Sequence, residues 1–165
     1  SPKLALRVIS QIAEALHYAH SKNFIHRDVK PENILCSEHG NYVLTDFGIA
    51  KVVGEGGLTG TGMAIGSAHY MSPEQAQGSP ALDGRTDIYS LGVVLYELLT
   101  GELPYTAENM FAVAMKHISA PVPLLPKNLR EYQSLLDRMM AKSPADRFSS
   151  AKEVNFHVQT GRGDP

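Results

Sequence analysis

His26-Arg27-Asp28-Val29-Lys30-Pro31-Glu32-Asn33 is the stretch that decides the reading of this sequence. It sets a carboxylate, a cation and an amide close together, with Pro31 restricting the backbone between them. In an extended chain, side chains two positions apart share a face, so Asp28 and Lys30 point the same way. Downstream follow Asp46-Phe47-Gly48 and then Tyr70-Met71-Ser72-Pro73-Glu74. Between them, from Val53 to Gly66, six glycines and two threonines make a composition too flexible to propagate helix or strand, and a mobile loop is expected.

Outward from this segment the pattern is mostly helical. Upstream, Pro2 suits a first helical turn, and Leu4, Val8, Ile9, Ile12, Leu16 and Ala19 recur at helical spacing. Short apolar runs at Phe24-Ile25, Ile34-Leu35 and Tyr42-Val43-Leu44 predict short strands around the Glu38-His39-Gly40-Asn41 turn. From Thr86 to Thr100 apolar residues occur nearly all round a helix, the mark of a central buried one, and Gly101 stops it. Further helices are expected over 107–118, 128–141 and 149–158, with the proline-rich stretch 121–126 as connector. The expected fold is mainly α, with a few short β-strands around the loop that carries Asp28.

Composition narrows the classes of function. A chain of 165 residues with 43% hydrophobic content can bury one core without disulfides or metal. Fifteen Lys and Arg against seventeen Asp and Glu provide no basic field for nucleic acid or anionic lipid. The lone Cys36 excludes an internal disulfide and fits a reducing compartment, so the default expectation is the cytoplasm. The apolar run from Leu91 to Leu99 is too short, and with Glu97 too polar, to span a bilayer, so no membrane contact is expected from this segment. No spacing of zinc ligands occurs, and no P-loop, since Gly-Lys-Ser/Thr is absent.

The segment 26–33 resembles the catalytic loop of protein kinases, and Asp46-Phe47-Gly48 resembles their metal-binding motif. At average residue usage, the six defining positions of the first motif match a given start roughly once in 10⁸ tries. Ser72-Pro73-Glu74 stands where the family has Ala-Pro-Glu. The resemblance implies an α+β family fold of which this is the C-terminal lobe, over 1–158, with 159–165 opening a linker or tail. The wording around Tyr70 to Ala76 is most similar to bacterial, eukaryotic-like serine/threonine kinases.

The resemblance implies a role for each of these residues. Phosphoryl transfer needs donor and acceptor aligned and developing charge neutralised. Asp28 is then the catalytic carboxylate that accepts the proton of a substrate hydroxyl, and Lys30 places a positive charge on the transferred phosphate of ATP. Lysine there also implies serine/threonine specificity. Asn33 and Asp46 offer hard oxygen ligands to Mg²⁺, with Mn²⁺ as an alternative. The plain alternative for this cluster is a polar turn with local ion pairs. Arg27 and Lys51 would form a basic pocket for a phosphate on Thr59 or Thr61, which otherwise read as solvated loop residues. Ser67 takes the place of a threonine that bridges the catalytic pair, and Glu32 would attract a basic residue of the substrate or else be a solvated carboxylate. Glu74 and Arg147 resemble a structural ion pair. Asp87 resembles the carboxylate that braces the catalytic loop, against the plainer reading of a helix-start acid.

A kinase also needs a glycine-rich lid and a lysine-glutamate pair upstream of the catalytic loop, and the residues before His26 read as one helix. The expectation is therefore a kinase acting on protein substrates and on itself, dependent on an N-terminal lobe in cis and inactive or very weak as this piece alone. The alternative is a naturally short, non-catalytic binding module. A sensor segment or membrane anchor would lie downstream in a longer protein, and substrate identity and oligomeric state are not legible.

Overall fold

A computed structural model of the chain describes residues 1–47 and 67–161. Helix α1 spans Pro2–Ser21 and buries Val8, Ile9, Ile12 and Leu16, the stripe read from the sequence. It ends in a Schellman motif: the Phe24 N–H donates to Ala19 O at 2.9 Å and the Asn23 N–H to His20 O at 3.0 Å. Asn23, at φ 63°, supplies the left-handed residue this cap requires. The expected strand at Phe24-Ile25 is therefore absent, because the Phe24 amide already caps the helix and Phe24 lies 62% exposed.

The other two expected strands form. β1 (Ile34–Cys36) pairs antiparallel with β2 (Tyr42–Leu44), with Leu35 opposite Val43. A short 3-10 turn, Pro31–Asn33, leads directly into β1. Helix α2 (Pro73–Ala76) follows a 3-10 turn at Ser67–Tyr70 and was not expected from the apolar periodicity. Its signal is local instead: Ser72-Pro73-Glu74-Gln75 is a capping box with proline at the first helical position.

Helix α3 (Arg85–Thr100) is the centre of the molecule, with an unbroken run of buried residues from Thr86 to Leu95. Gly101 terminates it at φ 77°. α1 packs against α3, β2 and α6 (Ala151–Thr160), while α5 (Gln133–Met139) packs on α3 and α4 (Met110–Ser119) packs on α2. α4 starts later than expected because Asn109 caps it, accepting from the Ala112 N–H at 2.8 Å. The helix expected over 128–141 is a 3-10 turn, Lys127–Tyr132, followed by α5. In that region Gln133 accepts from the Leu125 N–H and Arg130 donates to Leu125 O, so side chains tie the preceding proline-rich connector to the turn. Among the described residues no helix is long and apolar enough to cross a membrane.

Where α3 meets α5 the close approach depends on Gly92. A Cβ there would stand 2.8 Å from Met140 Cγ and 2.9 Å from Met139 Cβ. Gly92→Val should overpack this contact and cost about 2 kcal/mol. Thermal unfolding should show Tm lower by about 4–8 °C; an unchanged Tm would mean that the two helices separate freely.

Candidate active site

Three elements converge on the segment from His26 to Asn33: the end of α1, the start of α3, and the β1–β2 pair. Asp87, in the first turn of α3, is completely buried. Its Oδ2 accepts from the His26 N–H and its Oδ1 from the Arg27 N–H, both at 2.8 Å. The His20 Nε2–H, from the last turn of α1, donates to the same Oδ2 at 2.8 Å. A buried carboxylate is tolerable only with its lone pairs used and positive potential nearby, and the three donors and the helix N-terminus meet that requirement. Arg27 between these contacts sits at φ 72°, a conformation costly for a residue with a Cβ and held only where the surroundings enforce it.

His26 ties the loop to β2. Its buried ring donates from Nε2 to Thr45 O at 2.7 Å and accepts at Nδ1 from the Asp28 N–H at 3.0 Å, which fixes the Nε2–H tautomer. Phe47 meets the same ring edge-on at 4.7 Å between centroids. The Asp28 peptide is thereby held, and Lys30, in extended backbone, brings Nζ to 3.5 Å from Asp28 Oδ2. Asn33 Nδ2 donates to Asp28 O at 2.8 Å and to Asp28 Oδ2 at 3.2 Å. With its nitrogen so used, Asn33 turns its amide oxygen elsewhere as an acceptor. The Thr45 N–H donates to Asn33 O at 2.8 Å, and the next residue, Asp46, is exposed and at φ 54°. Leu35 and Val43 are 54% and 48% exposed, an apolar pair next to these polar groups.

The structure thus brings Asp28, Lys30 and Asn33 together, and Asp46 follows Thr45, whose amide is bonded to Asn33 O. Arg27 and Glu32 have exposed side chains beside them. Lys51, Thr59 and Thr61, the loop expected around them, and the side chain of Ser67 lie outside the described residues. Two residues that position the loop escaped the sequence reading. His20 looks like any basic residue in a last helical turn, and nothing local shows that it meets Asp87. Gln75 completes the readable Ser72 capping box, but the donation of its Nε2–H to Arg27 O at 3.0 Å joins residues far apart in the chain.

Residues 1–158 match the protein kinase domain. The chain belongs to the protein kinase family. It is 46% identical over 151 residues to a probable serine/threonine-protein kinase of Clostridium acetobutylicum, covering 88% of this chain and 22% of that protein. It is 39% identical to serine/threonine-protein kinase PrkC of Bacillus subtilis, over 96% of this chain and 25% of the relative. With PknB of Mycobacterium tuberculosis the identity is also 39%, over 100% of this chain and 27% of the relative. The kinase chain described here therefore spans about a quarter of the length of these relatives.

Behind the site, Glu74 in α2 meets Arg147 in a bidentate pair, Nη1 to Oε2 at 2.7 Å and Nη2 to Oε1 at 2.8 Å. Arg147 donates its three remaining N–H groups to Arg85 O, Lys142 O and Ala141 O, so all five donors are used. Nearby, the Tyr70 hydroxyl donates to the Glu97 carboxylate at 2.9 Å. Burial pushes the Glu74 carboxyl up, but the hydrogen bonds and charge of Arg147 outweigh it and hold the group below its ordinary value of 4.5. A depressed carboxyl stabilises the fold above the unfolded pKa, and that contribution is lost as pH falls through the folded pKa. Glu74→Gln, which leaves Arg147 buried without its anion, should cost about 3 kcal/mol at neutral pH. Denaturant titrations should show this gap narrowing as pH drops below 4.5; a gap independent of pH would mean the pair is not linked to folding.

Proposed function

We propose that this kinase transfers the γ-phosphate of ATP to serine and threonine hydroxyls of proteins, its own included, and that residues 1–158 form the lobe that performs the chemistry. The arrangement of Asp28, Lys30 and Asn33 carries the reading: a carboxylate on a held peptide, a cation 3.5 Å from it, and an amide hydrogen-bonded to it. In the step, the acceptor oxygen forms a bond to the γ-phosphorus while the bond to the bridging oxygen of ADP breaks. Asp28 orients the hydroxyl and receives its proton. Lys30 neutralises charge building on the transferred group.

Asp46 and the amide oxygen of Asn33 are hard donors of the kind Mg²⁺ takes, and Mn²⁺ is compatible with them. That ion would shield the phosphate oxygens during transfer. Among the described residues no three His, Cys, Asp or Glu converge, so the two-residue set would rely on phosphate and water for its other ligands. Glu32, exposed at the edge of the site, fits a basic residue flanking the target hydroxyl. The cytoplasm remains the proposed place of action.

Asp28→Asn in the complete protein should lower kcat about 10²- to 10⁴-fold. Radiolabelled transfer from Mg-ATP to a general basic protein measures it. Absence of label with the folded parent would overturn the catalytic reading in favour of a binding module. Residues 1–165 alone should transfer feebly, for want of a lid over the phosphates.

Thr59 and Thr61 are the proposed sites of an activating phosphate, received by Arg27 and Lys51. Mass spectrometry after incubation with Mg-ATP should find one or both modified. Persistent absence in an active preparation would remove them from the account.

A further inference from the structure

Arg27 is the strained residue immediately before Asp28, and its two peptide groups are held from different parts of the fold. Its N–H is bound by Asp87 of α3, and its carbonyl accepts the Gln75 Nε2–H at 3.0 Å. The same Gln75 amide closes the cap of α2 with its other end, because Oε1 accepts the Ser72 N–H at 3.1 Å. The Gln75 N–H in turn donates to Ser72 Oγ at 3.2 Å, and Ser72 Oγ meets Thr86 Oγ1 of α3 at 2.5 Å. One half-buried amide side chain therefore joins the helix that begins within the Ser72-Pro73-Glu74 motif to the peptide that links Arg27 to Asp28.

We infer that Gln75 is a positioning residue for phosphoryl transfer, fixing the orientation of the 27–28 peptide and through it the carboxylate of Asp28. The inference rests on the kinase reading given above. Glutamine suits the task because a single planar group presents an acceptor to the cap and a donor to the loop. Glutamate at the same helix position makes the cap equally well but has no N–H to offer Arg27 O. Lysine offers the donor and lacks the acceptor. An apolar residue offers neither, so the side-chain half of the α2 cap and the loop contact would both go, leaving only the backbone bond to Ser72 Oγ.

The test separates the two ends of the side chain in the complete protein. Gln75→Glu should keep Tm within about 2 °C of the parent while kcat falls about fivefold and KM for ATP stays within about twofold, since one hydrogen bond on a strained peptide is lost and the cap is not. Gln75→Lys should do the reverse, with lower Tm and kcat nearer the parent. A Gln75→Glu protein with parental kcat would overturn the inference. So would kcat falling in step with Tm in both variants, which is what a merely structural glutamine would give. An inactive parent would instead overturn the kinase reading on which the inference stands, so the two failures are distinguishable.

Discussion

The buried carboxylate of Asp87 is the constraint around which the rest of the molecule is arranged. An anion at zero exposure is affordable only where donors and a helix N-terminus replace water. The donors here are two successive backbone amides, His26 and Arg27, and a histidine from α1. Satisfying the charge therefore fixes the backbone of the loop, including the left-handed Arg27, before any side chain of the site is considered. Removing water from Asp87 and positioning Asp28 are two consequences of one burial.

Arg147 plays the same part at the back of the lobe. Its guanidinium gathers Glu74 of α2, the Arg85 carbonyl at the start of α3 and two carbonyls that follow α5. Arg147 also lies 5.0 Å from the centroid of the buried Tyr89 ring. Both charged groups hold structure through hydrogen bonds that leave no donor or acceptor idle, and both converge on the first turns of α3. The apolar core supplies bulk stability, whereas these two hubs decide where loops without regular structure come to rest.

What the sequence made legible was what is local. The helical stripe of α1 and the all-round apolar α3 follow from periodicity. Asp28, Lys30 and Asn33 are read from a motif dense enough to resist chance, and Asp46 from a short Asp-Phe-Gly that corroborates it. Misreadings arose where a capping or side-chain hydrogen bond claimed a group that the residue pattern assigned to a regular element. Phe24-Ile25 has strand-like residues, but the Phe24 amide is taken by the α1 cap. The stretch 128–141 has helical spacing, but the first part is a 3-10 turn tied to the proline-rich connector. His20 and the loop-facing half of Gln75 were invisible for a related reason: their partners, Asp87 and Arg27, are 67 and 48 residues away, and no spacing rule reaches that far.

Asp87 holds the loop that begins at His26. Residue-resolved amide hydrogen exchange tests it directly, comparing the parent with Asp87→Ala. In the parent, the His26 and Arg27 amides should exchange as slowly as the core of α3, and in the variant they should exchange orders of magnitude faster while amides from Leu91 to Leu95 stay protected. Unchanged protection at His26 and Arg27 in the variant would mean that contacts other than Asp87 hold the loop.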